Sequence, residues 1–282
     1  MSNELKKLYL FFVITFSLFV TAFPYLFINI SNATHYVSTI STLVVKKDKI
    51  TSIDVYQTKG NIIIMFDDGW KSQFTVGYNY MKKKNMVGSI SIIPQMVGEI
   101  DYINKGDFQT LHNSDWDLLN HTYSHKNLSK IEDDEQFYEI SRADNWLSKN
   151  SLSDSPKILV YPEGDYTPYT RDILATLGYV SGRSTLEGFN PKAPKDLYEI
   201  KVKSILNSTK VSDVYEWINY TIENNLTLIL LFHRLEDNAD DSFMKYRKDD
   251  FYMIIDYIDK KRNDLNIITY SDWIRTIVNP EK

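Results

Sequence analysis

The chain has 282 residues, 43% of them hydrophobic, which is enough for one sizeable buried core. Its formal net charge of −5 gives no sign of a nucleic-acid partner. The sequence contains no cysteine, which excludes disulfides, thiolate zinc sites and cysteine nucleophiles.

The N-terminal segment is predicted to be a membrane anchor. Lys6 and Lys7 precede an uncharged stretch, Leu8 to Ile30, which exceeds the roughly 20 residues needed to cross a bilayer core. Lysines before this stretch and none within it favour a cytoplasmic N-terminus, with the rest of the chain outside. A removed signal peptide is the alternative, because Ser31 to Ala33 resembles a cleavage site. We therefore divide the chain into a signal-anchor segment (1–30), a stem (31–60) and a main domain (61–282).

In the main domain, short apolar runs alternate with amphipathic segments. The predicted strands are 61–66, 87–93, 115–119, 157–161, 179–182, 197–202, 227–232 and 265–269. The predicted helices are 72–85, 129–150, 167–178, 211–224 and 249–263. Several strands are apolar on both faces, as expected for a buried parallel sheet. The alternation predicts an α/β fold, either a barrel or an open sheet.

Two of these helices carry recognisable start signals. Ser129 and Glu132 have capping-box spacing at the start of the 129–150 helix. Thr167 is expected to cap the next helix, with Pro168 as its first residue.

Two adjacent carboxylates, Asp67 and Asp68, follow the first buried strand in the segment NIIIMFDDGW. In α/β folds, polar residues just after the C-terminal end of a strand lie at the active face. Burial of both charges without a partner would be costly, so a Lys, an Arg or a metal ion should lie nearby. A plain Asp-Asp-Gly turn is the alternative. Trp70, directly after this turn, is a candidate to contact a substrate.

A pair of histidines, His121 and His125, follows the weak strand 115–119. Histidines four residues apart can face a single ion from one helical turn or a loop of similar pitch. With one aspartate they would supply three ligands of the type that Zn²⁺ prefers, and leave an open position for water. A surface pair that arose by chance is the alternative.

Two further segments would open onto the same face. His233 ends the apolar segment LILLFH and is a candidate general acid or base, because imidazole titrates near neutral pH. A merely structural or exposed histidine is the alternative. Tyr161, Pro162, Glu163 and Gly164 lie between a strand and a helix N-terminus. Such a turn can aim backbone N–H groups into a site and stabilise an oxyanion.

These motifs resemble those of the polysaccharide deacetylases of the NodB-homology type, carbohydrate esterase family 4. FDDG at 66–69 resembles the first motif of the family, HTYSH at 121–125 the second, and LFH at 231–233 a late motif. Their order and spacing agree over most of residues 61–275. The resemblance implies a distorted (β/α) barrel with fewer than eight repeats, and N-deacetylation of N-acetylated sugars.

The resemblance also implies a role for each matching residue. Asp68, His121 and His125 would bind a divalent metal ion, usually Zn²⁺. Asp67 would be the general base and His233 the general acid.

The third motif departs from the family pattern. Many members have Arg-x-Pro-Tyr-Gly, in which the Arg holds the base aspartate, whereas this chain has VYPEG at 160–164. Pro162 and the backbone at 163–164 would still form part of the substrate groove and oxyanion site. Arg183, after a predicted strand, could supply the missing cation near Asp67.

We therefore expect a bacterial hydrolase of amide C–N bonds that deacetylates an N-acetylglucosamine-containing cell-wall or exported polysaccharide. It would be held at the membrane with its catalytic domain outside the cell, or secreted if the N-terminal segment is cleaved. One alternative is a catalytically silent, carbohydrate-binding member of the same fold. The other is a metal amidohydrolase or esterase with a different acetylated substrate, since a fold does not fix a substrate. The sequence gives no indication of the oligomeric state.

Overall fold

The computed structural model describes residues 59–153, 156–238, 242 and 244–279. The predicted anchor (1–30) and the predicted stem as far as residue 58 lie outside the described residues. Within the described residues, no helix is long and apolar enough to cross a membrane.

Seven parallel strands close into a barrel. They are β1 (Gly60–Phe66), β2 (Ser89–Ile92), β3 (Asp117–Asn120), β4 (Lys157–Val160), β5 (Tyr179–Glu187), β6 (Ile200–Ser204) and β7 (Thr227–Phe232). Each strand pairs with the next along the chain, and β7 pairs back with β1. This closing pair runs in register from Asn61 with Thr227 to Phe66 with Phe232. The predicted (β/α) barrel is therefore confirmed, and the open sheet is excluded.

The barrel is distorted where β3 meets β4. Among the described residues these strands pair only at Asn120 with Leu159. Two short strands, β8 (Arg234–Glu236) and β9 (Lys245–Arg247), form a separate sheet after β7. A last strand, β10 (Leu265–Ile267), pairs in parallel with the start of β1.

Helices connect the strands. The described residues contain α1 (Asn79–Lys82), α2 (Lys105–His112), α3 (Asp133–Lys149), α4 (Pro168–Thr176), α5 (Val211–Glu223), α6 (Lys248–Lys260) and α7 (Tyr270–Val278). A π-helical segment, Gln73–Tyr78, leads into α1. All five predicted helices are present, with ends that differ by at most four residues. The start of α4 is confirmed, with Thr167 as its N-cap and Pro168 as its first residue. Helices α2 and α7 were not predicted.

The predicted start of α3 is wrong. The helix begins at Asp133, and its N-cap Glu132 makes no side-chain capping bond. Ser129 lies instead in a separate 3₁₀ turn. The reason is that Asn127 Oδ1 accepts hydrogen bonds from both the backbone N–H and the hydroxyl of Ser129, at 3.0 and 2.8 Å.

The alternation of side chains along β1 separates the inside of the barrel from its outer surface. Ile63 and Met65 belong to a core shared with inward residues of the other strands. Ile62, Ile64 and Phe66 belong to a larger core that includes residues of the surrounding helices. A side chain therefore points into the barrel or away from it according to its position in this alternation.

Helix α7 closes the N-terminal end of the barrel. Tyr270 and Trp273 are fully buried and belong to the interior core. The N–H of Tyr270 donates to Ser89 Oγ at 2.9 Å, and that of Ser271 donates to Asp117 Oδ2 at 2.7 Å. Ser89 and Asp117 are the first residues of β2 and β3, so this helix lies at the end opposite the sequence motifs.

Candidate active site

The candidate functional side chains extend the inward alternation beyond the ends of the strands. Met65, Leu119 and Leu231 all belong to the interior core. The residue two positions further along the chain shares the same direction and is polar in each case: Asp67, His121 and His233. Three strands that are distant in sequence therefore deliver polar groups to the same mouth of the barrel.

Asp67 is held as a buried, charged carboxylate. Its Oδ1 accepts a hydrogen bond of 2.9 Å from Ser91 Oγ, and its Oδ2 forms an ion pair with the fully buried Arg183. Burial alone would raise the pKa of Asp67. The Arg183 guanidinium and the rings of His121 and His233 outweigh burial and hold this pKa below its usual value. The contact that the sequence suggested between Arg183 and Asp67 is present, and Asp67 is ionised and able to accept a proton.

Asp68 leaves the strand direction because its backbone is left-handed. Asp68 and Gly69 have φ values of 78° and 79°, a region that residues other than glycine rarely adopt. Asp68 Oδ2 accepts a hydrogen bond of 2.9 Å from Nε1 of the half-buried Trp70. Its Oδ1 is buried and receives no hydrogen bond from the described residues. One carboxylate oxygen is thus satisfied and the other is not.

The two histidines lie on a loop that side-chain hydrogen bonds fix. Asn120 Oδ1 accepts from the Thr122 N–H at 2.8 Å, and Thr122 Oγ1 accepts from the His125 N–H at 3.1 Å. Thr122 and His125 have φ values of 60° and 62°. His121 Nδ1 lies 2.8 Å from the carbonyl oxygen of Val160. Because a carbonyl only accepts, Nδ1 is the donor, and in the neutral ring Nε2 keeps its lone pair.

The three predicted metal ligands are brought together by the structure. The Nε2 atoms of His121 and His125 both lie 3.4 Å from Asp68 Oδ1. One ligand atom from each residue lies within 4.8 Å of the other two, an arrangement that no other His, Asp or Glu group in the described residues repeats. In the neutral His121 ring the Nε2 lone pair faces the unpaired Asp68 Oδ1, and these two atoms repel unless a cation lies between them. The site therefore fits a divalent metal ion.

His233 lies beside these groups and is almost fully buried. Burial lowers its pKa below the usual value, and the negative charges of Asp68 and Asp67 act in the opposite direction. Gln73 Nε2 donates to the backbone carbonyl of His233 at 3.1 Å, and also to the carbonyl of Asp67. The buried Gln73 amide therefore links the backbone of Asp67, the predicted base, to the backbone of His233, the predicted acid.

The side chain of Tyr161 does not line the mouth of the barrel. It is fully buried, its hydroxyl donates to the Tyr198 carbonyl at 3.0 Å, and its ring stacks on Tyr166 at 4.5 Å. Pro162 is also buried. The expected contribution of this motif to a substrate groove is therefore limited to its backbone and to residues 163–164.

Glu163 and Gly164 form a left-handed turn after β4, with φ values of 58° and 82°. The Glu163 carboxylate accepts hydrogen bonds from Asn127 Nδ2 at 2.7 Å and Lys130 Nζ at 3.1 Å, and these bonds lower its pKa. A Cβ atom at Gly164 would lie 2.1 Å from Thr185 Oγ1. Only glycine fits at 164, and the Glu163 carboxylate has partners of its own at the rim.

The motifs around this cluster are shared with known proteins. Residues 54–182 match the polysaccharide deacetylase family. The match covers the Asp-Asp, His-x-x-x-His and third motifs, and it ends one residue before Arg183. The resemblance to the polysaccharide deacetylases that the sequence motifs indicated is therefore confirmed.

A curated protein from Bacillus subtilis (strain 168) is similar in sequence to this chain. It is provisionally named polysaccharide deacetylase YxkH and is 24% identical over 127 residues, which are 45% of this chain and 45% of that protein. The chain thus spans less than half the length of this curated relative.

Several solved structures share the fold. A protein from Mycobacterium smegmatis, provisionally named polysaccharide deacetylase, superposes with a TM-score of 0.60 at 11% identity, over 81% of this chain and 94% of that chain. A family 4 acetyl xylan esterase from Clostridium thermocellum, solved with a cobalt ion, has a TM-score of 0.52 at 16% identity, over 77% and 92% of the two chains. At these identities the likeness establishes the fold alone.

Several residues whose hydrogen bonds hold the deacetylase motifs in place were not predicted from the sequence. They are Gln73, Ser91, Asn120 and Glu139. Glu139 of α3 accepts hydrogen bonds of 2.8 Å from both the N–H and the hydroxyl of Ser124, in the histidine loop. Ser91 had a local signal, because it alternates with outward isoleucines in the segment SISI. Gln73 and Asn120 each bond both to a segment near in sequence and to a distant one, and no local pattern of residues indicated these contacts.

Proposed function

We propose that this chain is a metal-dependent deacetylase that removes acetyl groups from an N-acetylglucosamine-containing cell-wall or exported polysaccharide. The observation that carries the proposal is the meeting of Asp68, His121 and His125 beside the buried Asp67. The family match supports the reaction class. Because the curated relative is matched over less than half its length, both the activity and the substrate belong to the proposal.

Zn²⁺ is the proposed ion, because two imidazoles and one carboxylate are a ligand set that catalytic zinc sites use. The cobalt ion bound to the Clostridium thermocellum esterase supports a divalent ion in this fold. When bound by Asp68, His121 and His125, the ion would lower the pKa of a water molecule and polarise the acetyl carbonyl.

The two residues beside the metal ligands would move the protons. Asp67, kept ionised by Arg183, takes a proton from the attacking water. His233 donates a proton to the nitrogen as the C–N bond breaks. Burial lowers its pKa and makes the protonated ring a stronger acid. One water is consumed, and acetate and a free amino sugar are released.

The left-handed turn at Glu163 is the proposed source of a backbone N–H for the oxyanion. Its geometry depends on Gly164, which packs against Thr185 without space for a side chain. This role uses only the backbone, so it does not require the aromatic residue that many family members have at position 163.

We also propose that residues 1–30 hold the enzyme at the outer face of a bacterial membrane, or direct its secretion if they are cleaved. This part of the proposal rests on the sequence alone. Fractionation of cells that express the full chain, followed by N-terminal sequencing, would distinguish an anchored protein from a cleaved one.

The function is tested by acetate release from peptidoglycan, chitin oligomers, poly-N-acetylglucosamine and acetylated xylan, each with and without a chelator. We expect release from at least one N-acetylglucosamine polymer and its loss with the chelator. Asp68→Asn should abolish release. His112→Gln, at the end of α2 and outside the cluster, is the matched control and should retain it.

The same experiment separates the alternatives. Binding of a polymer without release of acetate would support a silent carbohydrate-binding protein. Faster release from small acetamides than from any polymer would support an amidohydrolase with a different substrate.

A further inference from the structure

Trp70 makes the two oxygens of the Asp68 carboxylate different from each other. The indole N–H donates to Oδ2 at 2.9 Å. The other oxygen, Oδ1, has no donor among the described residues and lies 3.4 Å from Nε2 of both His121 and His125. The chain therefore satisfies one oxygen itself and leaves the other facing the two imidazoles.

The Trp70 ring has little freedom to move. It stacks on Tyr102 with 4.2 Å between ring centroids, and the backbones of these two residues form a β-bridge. The Arg234 guanidinium lies 4.6 Å from the centroid of the Trp70 ring and is itself held by Glu236 at 2.9 Å. Offset ring stacking and a cation above an indole are both attractive, so these neighbours fix the direction of the N–H.

We propose that Trp70 is a positioning residue for the metal ligand Asp68, and this inference rests on the proposed metal-dependent function. Its N–H holds the carboxylate so that Oδ1 alone faces the two histidines. Without this donor, the carboxylate is free to rotate about its Cβ–Cγ bond, and Oδ2 becomes a buried acceptor without a partner. Hydrogen bonds to metal ligands of this kind change metal affinity by about 10–100-fold when they are removed.

The test compares two Trp→Phe variants of the full chain. Trp70→Phe removes the N–H bound to Asp68 and keeps an aromatic ring against Tyr102. Trp273→Phe is the matched control, because its Nε1–H donates to the Lys192 carbonyl at 2.8 Å at the opposite end of the barrel. Both variants lose one indole hydrogen bond, and only the first loses it at the metal ligand.

Zn²⁺ affinity is measured by competition with a chromophoric chelator, and folding is checked by circular dichroism and Tm. We expect the Kd for Zn²⁺ to rise about 10–100-fold in Trp70→Phe and to stay within about twofold of wild type in Trp273→Phe. Tyr102→Leu, which keeps the indole and removes its stacking partner, is the second variant. Its Kd should lie between those of wild type and Trp70→Phe.

Wild-type affinity in folded Trp70→Phe, or an equal loss in Trp273→Phe, would overturn the positioning role and leave the proposed function intact. If Trp70→Phe does not fold, an unchanged Kd in Tyr102→Leu overturns the role. If wild-type protein binds no Zn²⁺, the proposed metal centre fails, and this inference fails with it.

Discussion

Replacement of Arg183 by Met would remove the guanidinium that forms an ion pair with Asp67, while approximately conserving side-chain volume. Both side chains are almost completely buried, so water cannot take the place of the guanidinium. Asp67 would remain buried, which raises its pKa, and would lose the Arg183 charge, which lowers this pKa more than any other group does. We expect two separable results, one on the pH dependence of activity and one on stability.

The size of the pKa change follows from the charge that is removed. Two unit charges about 4 Å apart interact by about 4 kcal/mol at an effective dielectric constant of about 20. At 1.36 kcal/mol per pKa unit this is about 3 units, at the upper end of the range for a carboxylate beside an Arg. The acid limb of the kcat/KM profile of Arg183→Met should therefore move to higher pH by about 2–3 units.

The effect of this substitution on the free energy of unfolding should depend on pH in a direction that can be tested. In wild type the pKa of folded Asp67 is below its usual 3.8. Asp67 therefore adds to the free energy of unfolding above pH 3.8, and this contribution is lost as the pH falls through the lower pKa of the folded state. In Arg183→Met the folded pKa lies above the unfolded one. Stability from this residue is then present at low pH and lost as pH rises through the new pKa. Near neutral pH the variant should be about 3–5 kcal/mol less stable than wild type.

The assay is denaturant unfolding at several pH values with a chelator present, together with kcat/KM profiles in Zn²⁺. Arg171→Met is the control, because Arg171 pairs with Asp196 at 2.9 Å at the surface and should contribute no more than about 1 kcal/mol. The double variant Asp67→Asn/Arg183→Met should cost less than the sum of its two single changes. Additive costs, or an unmoved acid limb in Arg183→Met, would refute the reasoning.

Three further predictions concern the base, the metal and the third motif. Asp67→Asn should lower kcat by about 10²–10⁴-fold and bind Zn²⁺ as wild type does; full turnover in this variant would contradict its role as base. Zn²⁺ at 100 times its Kd should stabilise the wild type by about 2.7 kcal/mol, or about 5–10 °C in Tm, and no shift would contradict the metal centre. Gly164→Ala should be at least about 1 kcal/mol more destabilising than Gly98→Ala in urea unfolding, since both have positive φ but only 164 lacks space. Equal costs would show that Thr185 moves away easily.

The sequence identified the barrel because its strands are unusually apolar and regularly spaced. β1 and β7 are buried along their whole length and lie at their predicted positions. The prediction missed α7 because its sequence, YSDWIRTIV, is short and follows directly on a strand. Its role depends on contacts with Ser89 and Asp117, more than 150 residues earlier in the chain.

The candidate site could be predicted where the residue type limits the chemistry. It was less predictable where the backbone conformation sets the direction of a side chain. Asp67, His121 and His233 follow from strand alternation alone. The direction of the Asp68 carboxylate depends on a backbone φ of 78°, and the presence of an aspartate at this position does not predict that conformation. The buried position of Tyr161 depends on Gly182, which leaves room for its ring. Contacts of this kind, between segments distant in sequence, are set by tertiary packing.

The pairing of β7 with β1 has a consequence for folding. Asp67 and His233 are 166 positions apart and become neighbours only when β7 pairs with β1. A chain truncated after residue 182 would keep all three metal ligands and lose Arg183, Gln73's carbonyl partner at His233, and the pairing of β7 with β1. During refolding, turnover should therefore not appear before β7 has paired with β1.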